Sequence, residues 1–362
     1  MQRDIELCGR LIGVGCEPFT IAEVGINHNG ELERAFRMIE AAKAAGADAV
    51  KFQTFKAVDF CGDPKQTFTY QSQGVAVTES MLSMFQRYEF SRENWFKLKA
   101  HCDKAGITFL STPQNPADLD LLLEIGVPAV KIGSDDFTNL PLIRRYAQTG
   151  LPLILSCGMS DIGEVHQALE AAGWYDGYPV VLLLCTSQYP TPPADVNIRK
   201  LATLRQAFGG LQVGFSDHTQ GPLAASLATA LGACVFEKHF TLAQDLPGPD
   251  HWFSEEPAGL EQWINGIRTA HAMLGSPLVR PTPAELDMRV LARRSLVVLR
   301  DVAAGETLTA DNIGARRPGG GLAPDMLAQV VGMTAHRPLA AGRRLELGDM
   351  QREIRETVDE RT

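Results

Sequence analysis

Between residues 19 and 275 the chain repeats one pattern eight times: a short, almost uninterrupted apolar run, then a longer segment of helical period. The apolar runs are FTIAEVGI (19–26), AVKFQTF (49–55), ITFLSTP (107–113), AVKIGS (129–134), LPLILSCGM (151–159), YPVVLLLCTS (178–187), LQVGFSDHT (211–219) and ACVFEKHFTL (233–242). Continuous apolarity over so few residues suits strands buried on both faces, as in a parallel sheet. The segments between them place apolar residues three or four apart. In ELERAFRMIEAAKAAG (31–46) these are Leu32, Phe36, Ile39 and Ala42, with Gly46 positioned to end the helix. PADLDLLLEIG (116–126) opens on Pro116 and stops at Gly126, the usual asymmetry of helix ends. Eight strand–helix units predict an α/β fold, the closed (β/α)8 or TIM barrel. An open doubly wound sheet also alternates, but no GxGxxG follows the first run, so a dinucleotide-binding fold lacks its main support.

The barrel pattern accounts for residues 1–280. Prolines at 277, 281 and 283 mark residues 281–291 as a linker. Residues 292–352 change texture to short apolar runs separated by AGE and AGR turns, which predicts a small β-rich domain, too small to be very stable alone. The charged end, 353–362, reads as a solvated tail. The formal net charge is -9 and no basic stripe is visible, which argues against a nucleic-acid partner. No apolar run approaches the ~18 residues of a membrane span, so no membrane association is expected. The N-terminus lacks a signal-peptide core, so a cytoplasmic location is expected. The seven cysteines are odd in number and show no CxxC spacing, which argues against a disulfide framework or a zinc ribbon.

In a barrel the active site forms at the C-terminal ends of the strands. Every run in this chain ends in polar residues: Glu23, Asn27 and His28; Lys51 and Gln53; Ser111 and Thr112; Lys131, Ser134, Asp135 and Asp136; Ser156; Thr186, Ser187 and Tyr189; Ser216, Asp217 and His218; Glu237, Lys238 and His239. Lysines inside apolar strands are costly unless paired or functional. Lys51 and Lys131 with Ser111, Thr112, Ser134, Ser156 and Ser216 make a donor-rich ring suited to a phosphate plus a carboxylate. His218 and His239, at the ends of neighbouring strands, could share one divalent cation. His28 fits a structural place in the NHNG turn, and His251 lies in a loop of the kind that contacts substrate.

At these residues the chain resembles the N-acetylneuraminate (sialic acid) synthase family. The resemblance runs in order through AEVGINHNG, KFQTF, STP, KIGS, SCGM, CTSQYPTP, GFSDHT, EKHFT and PGPDH. ARRS, AGE and RRPGGG near the C-terminus are similar to the family's SAF, or antifreeze-like, domain. The resemblance implies condensation of phosphoenolpyruvate with N-acetylmannosamine or a related acylamino hexose. It implies Glu23, Lys51, Lys131, His218 and His239 as catalytic groups. A divalent metal would sit on His218 and His239, Mn2+ first and Mg2+ or Co2+ after it. Phosphoenolpyruvate would be held by Lys51, Thr112, Lys131, Ser134, Ser156, Ser187 and Ser216. Sugar contacts would come from Gln53, Asp136, Tyr189, Asp250 and Arg317, the last inserted from a partner in a domain-swapped homodimer. Two positions depart from the family pattern: Asp135-Asp136 replaces Gly-Glu, so Asp136 reaches about one methylene less far, and Ser187 replaces Asn. A legionaminate- or pseudaminate-type product is the alternative. A Schiff-base aldolase built on Lys51 or Lys131 is a further enzyme class to weigh. A binding protein whose C-terminal domain recognises ice or polysaccharide is a third, but an inert barrel has no reason to keep buried lysines.

Overall fold

The computed structural model of the chain describes residues 4–317 and 319–352. It contains two compact units, one ending at Gly275 and the other beginning at Ser276. The expected tail, 353–362, lies outside the described residues.

All eight expected strands form: β1 (Phe19–Gly25), β2 (Ala49–Thr54), β3 (Thr108–Pro113), β4 (Val130–Ile132), β5 (Leu153–Ser156), β6 (Val180–Cys185), β7 (Gln212–Asp217) and β8 (Val235–His239). They pair in parallel in the order β3-β2-β1-β8-β7-β6-β5-β4. The two end strands lie side by side, so the sheet is an almost closed barrel. The helices after each strand are α1 (Leu32–Ala44), α2 (Arg92–Ala105), α3 (Pro116–Ile125), α4 (Leu140–Ala147), α5 (Ile162–Ala171), α6 (Lys200–Ala207), α7 (Leu223–Ala230) and α8 (Pro257–Leu274). Among the described residues, no helix is long and apolar enough to cross a membrane.

Strand alternation sorts the side chains into two sets. One set, with Val50, Phe52, Phe109, Leu155, Leu182, Phe215 and Phe236, packs in the same apolar core as Leu98, Leu122, Leu169 and Trp263 of the helices. The other set points into the barrel, where Ile21, Ala49, Leu110, Ala129, Ile154, Val181, Leu183 and Val235 form a second core. Gly214 belongs to this inner face: a Cβ there would lie 2.2 Å from the Val235 carbonyl oxygen. An antiparallel hairpin, Ile5–Leu7 with Arg10–Ile12, adds Leu7 and Ile12 to the inner core. Stepping two residues along the inner face from this core leads to the polar residues: Ile21 to Glu23, Ala49 to Lys51, Leu110 to Thr112, Ala129 to Lys131, Ile154 to Ser156, and Val235 to Glu237 and His239.

The second unit differs from expectation at its start. Residues 281–291 are not an open linker, because α9 (Pro283–Ala292) forms there. Pro283 occupies the first turn, where its missing N–H costs nothing, and Thr282 and Glu285 make a reciprocal capping box. Four short strands follow, pairing antiparallel as Ser295–Val298 with Ile313–Arg316 and Thr334–Ala335 with Met350–Gln351. They enclose a small core of Leu296, Val298, Val302, Leu308, Ile313, Leu339 and Leu345. Asp349, fully buried, accepts from Arg337 and Arg343 and ties the end of this unit to its middle.

Candidate active site

The polar ends of the inner face line one cavity of about 450 Å³. At its floor four charges meet. Lys51 Nζ lies 2.8 Å from Glu23 Oε2 and 3.7 Å from Glu237 Oε1, and it donates to Thr112 Oγ1 at 2.9 Å. Lys131 Nζ lies 3.9 Å from the same Glu237 oxygen and donates to Ser156 Oγ at 2.7 Å and the Ile132 carbonyl at 3.0 Å. Gln53 Nε2 donates to Glu23 Oε1 at 3.2 Å. Buried charges survive only in such company.

Burial raises the Glu23 carboxyl to about 7, against the pull of the Lys51 ammonium and with a further push from Glu237. For Lys51, burial works against the charge, but the two carboxylates outweigh it and the net shift is upward. Lys131 shifts the other way, because burial outweighs the attraction of Glu237. The second Glu237 oxygen has no hydrogen-bond partner.

The imidazoles of His218 and His239 stand with ring centroids 5.5 Å apart. Tyr189 packs over His218 at 4.1 Å, and Phe253 lies against both Tyr189 and His239. His218 Nδ1 donates to the Thr186 carbonyl at 2.7 Å, which leaves Nε2 as the lone-pair nitrogen. Burial opposes protonation of His218, but the Cys185 sulfur and the Thr186 carbonyl outweigh it and lift its pKa, so a cation competes with a proton there. His239 is held neutral, well below its ordinary value, by burial and by the neighbouring His218, Lys51 and Lys238. Its Nδ1 is buried with no hydrogen-bond partner, and the nearest carboxylate oxygen, Asp250 Oδ2, is 3.9 Å away. A lone-pair nitrogen on one ring and an unsatisfied nitrogen on the other fit a shared divalent cation completed by water and substrate oxygens. Among the described residues, no group of three or more His, Cys, Asp or Glu side chains forms a metal cage.

Ser134, Ser187 and Ser216 line the same cavity as the lysines, and Ser134 Oγ accepts from Gly158 N at 3.0 Å. A second hollow of about 440 Å³ shares Gln53, Phe68, Tyr189 and His239 with the first and holds Asp250. Burial pushes the Asp250 carboxyl up to about 6.

Three expectations are corrected. Asp136 does not line the cavity; its carboxylate accepts from Asn139 Nδ2 at 3.0 Å at the start of α4, and Asp135 faces the cavity instead. Ser111 is turned out of the barrel by strand alternation and pairs with Thr54 Oγ1 at 2.7 Å. His251 is fully buried, with its nitrogens 2.6 Å from Thr241 Oγ1 and 3.0 Å from Asn29 Oδ1, so it shapes a loop rather than touching a ligand. Arg317, expected to reach the barrel of a partner, is exposed within the second unit. His28 does take the structural place expected of it: its Nδ1 accepts from Gly30 N and its ring stacks on Phe90.

Two features escaped sequence reasoning. Glu237 was only one polar residue among many on the rim, yet it faces both lysines. The outer wall of the cavity is aromatic, with Phe55, Phe60, Phe68 and Phe85. Phe68 comes from a hairpin, Thr67–Ser72 with Val75–Ser80, inserted after β2. Its mark in the sequence is the alternation TFTYQS and VAVTES around Gln73-Gly74, both at positive φ.

Residues 38–278 match the NeuB family and residues 293–347 match the SAF domain. The chain is 40% identical to N,N'-diacetyllegionaminic acid synthase of Legionella pneumophila, over 90% of this chain and 92% of that one. It is 32% identical to N-acetylneuraminate-9-phosphate synthase of Mus musculus, over 86% of each chain. Among solved structures it is similar to N-acetylneuraminic acid (sialic acid) synthetase of Leptospira borgpetersenii, with a TM-score of 0.71 and 32% identity over 80% of this chain and 95% of that one. With its barrel matched over most of its length and a SAF domain behind it, the chain belongs to the NeuB family.

Proposed function

We propose that this chain joins phosphoenolpyruvate to the open-chain aldehyde of an acylamino hexose, adds water and releases phosphate, yielding a nonulosonic acid. One observation carries the reading: Lys51 and Lys131, buried and sharing Glu237, line the same cavity as His218, His239 and a set of strand-end hydroxyls. The two ammonium groups are balanced by Glu23 and Glu237. A divalent cation on the imidazoles would add the positive charge that an incoming phosphate and carboxylate require.

Lys51 with Thr112, and Lys131 with Ser156, would hold the anionic groups of phosphoenolpyruvate, joined by Ser134, Ser187 and Ser216. Mn2+, or Mg2+ or Co2+ in its place, would when bound by His218 and His239 polarise the aldehyde oxygen and make its carbon electrophilic. Attack by C3 of phosphoenolpyruvate forms the new C–C bond and leaves positive charge on C2. Glu23, ionised, stabilises that charge and takes a proton from the water that adds there. The C2–O bond to phosphate then breaks as the C2 hydroxyl becomes the ketone; phosphate leaves with the bridging oxygen and that hydroxyl's proton, and Glu23 passes its proton to the former aldehyde oxygen. Gln53, Tyr189 and Asp250 orient the sugar. Arg317 would complete the site from the partner of a domain-swapped homodimer, presenting planar donors to the sugar's acyl oxygen. Exposed Leu286, Met288, Val290 and Leu291 on α9 support such a partner, because a helix this apolar is rarely left in water.

The acceptor is N-acetylmannosamine or a related acylamino hexose. A 2,4-diacetamido hexose, giving a legionaminate- or pseudaminate-type acid, is a second reading. The higher identity to the Legionella pneumophila synthase than to the Mus musculus one favours it. The test is phosphate release from phosphoenolpyruvate with a panel of 2-acetamido and 2,4-diacetamido hexoses, each product identified by mass. Release with one acceptor class, coupled to a nine-carbon acid, is expected. Release with no acceptor in the panel would end the reading.

A further inference from the structure

Two buried charged residues of the barrel take no part in the cavity, and each is next in sequence to one of the two imidazoles. Asp217 precedes His218, and Lys238 precedes His239. They face each other across the parallel β7–β8 ladder. Ser216, Glu237 and His239 point into the barrel, so strand alternation sends Asp217 and Lys238 outward, toward Trp263 of α8.

Asp217 uses both carboxylate oxygens. Oδ1 accepts from Thr219 N at 2.9 Å and Thr219 Oγ1 at 2.7 Å, closing a turn around His218. Oδ2 accepts from Trp263 Nε1 at 2.8 Å and lies 3.2 Å from Lys238 Nζ. Lys238 Nζ in turn donates to the Thr219 carbonyl at 2.5 Å and lies 3.7 Å from Glu255 Oε1. Both residues that flank His218 are therefore tied to the residue that precedes His239. The side chains are 2% and 0% exposed, so water cannot substitute for any of these contacts.

A buried ion pair adds little net stability over well-packed apolar residues, so its value lies in the geometry it enforces. Here the geometry is the offset between the ends of β7 and β8. The hydrogen bond from His218 Nδ1 to Thr186 fixes the rotation of one ring, not that offset. His239 Nδ1 has no hydrogen-bond partner, so that ring is placed by its backbone and by packing. We infer that the Asp217–Lys238 pair, with Thr219 and Trp263, is a positioning device that sets the spacing of His218 and His239 for a divalent cation. The inference rests on the reading of these two histidines as the metal pair.

The experiment measures the Kd for Mn2+ on the full chain, from the loss of the free-ion electron paramagnetic resonance signal, with folding followed by circular dichroism. Lys238→Met is expected to weaken Mn2+ binding by roughly 10–100-fold, the usual range for lost outer-shell support, and Trp263→Phe by less, in the same direction. Leu122→Ala, a cavity in α3, which packs on β3 rather than on β7 or β8, lowers the melting temperature and leaves the Kd unchanged. A folded Lys238→Met with the wild-type Kd overturns the inference; if that variant does not fold, a wild-type Kd in Trp263→Phe does so. Wild-type protein whose Mn2+ binding is absent or survives His239→Ala would instead remove the metal reading itself, and the inference with it.

Discussion

Replacing Lys51 by Met separates what its ammonium does for the fold from what it does for the reaction. In the barrel Nζ lies 2.8 Å from Glu23, 3.7 Å from Glu237 and 2.9 Å from Thr112, and the side chain is 3% exposed. Removing one partner of a buried pair costs about 3–5 kcal/mol, because the other charge is stranded. At about 2–4 °C per kcal/mol for a domain of this size, Lys51→Met should melt on the order of 10 °C lower. Adding Glu23→Gln removes the stranded carboxylate, and since replacing both partners is close to neutral, the double variant should recover most of that loss. Activity should follow a different course. Losing one preorganised donor to a reacting anion costs roughly 10²–10³-fold in turnover, and Glu23→Gln takes away a second reacting group. The double variant should therefore be more stable than the single one and no more active, by melting and phosphate release measured on the same samples. Turnover that rises in step with the melting temperature would refute the reasoning, because Lys51 would then be only a counter-ion for Glu23.

Glu23 must be ionised to act on the adding water, and burial holds its carboxyl up at about 7, so kcat/KM should climb as pH rises through that value; a flat profile across neutral pH would contradict the role. The same upward shift means that stability from this group is full below its ordinary value of 4.5 and is lost as pH rises through about 7, so thermal melting should show the opposite slope over that window. Stripping divalent metal should abolish phosphate release, Mn2+ should restore it, and His239→Ala should not respond to Mn2+; full turnover in metal-free protein would remove the polarising step. Arg317→Ala and His239→Ala, each inactive alone, should regain about a quarter of wild-type activity when co-expressed, since half of the symmetric pairs would be mixed and each would hold one complete site; no recovery would refute delivery of Arg317 by a partner.

Much of the barrel was legible because parallel strands buried on both faces leave a coarse mark: eight apolar runs whose order and polar ends coincide with β1–β8. Lys51 and Lys131 stood out for the same reason, being charges in apolar runs. What stayed hidden depends on facing rather than on content. Asp135 and Asp136 are adjacent and chemically alike, and only the turn before α4 decides that the first meets the cavity while the second meets Asn139. Ser111 looked like a donor until alternation turned it outward to Thr54. Glu237 gains its place only when the barrel closes and brings β8 opposite Lys51 and Lys131. The start of the second unit read as a linker because three prolines dominate it, although Thr-Pro-Ala-Glu at 282–285 is also a helix start with a capping box.

In the proposed reaction water adds to C2 of phosphoenolpyruvate after the new carbon–carbon bond forms. Running the reaction in 18O-labelled water with phosphoenolpyruvate and an accepted sugar tests it directly, by mass analysis of both products. One unlabelled phosphate is expected for every molecule of condensed acid, because the C–O bond breaks and phosphate keeps its own oxygens. Phosphate carrying 18O, or phosphate released with free pyruvate and no condensed acid, would contradict it.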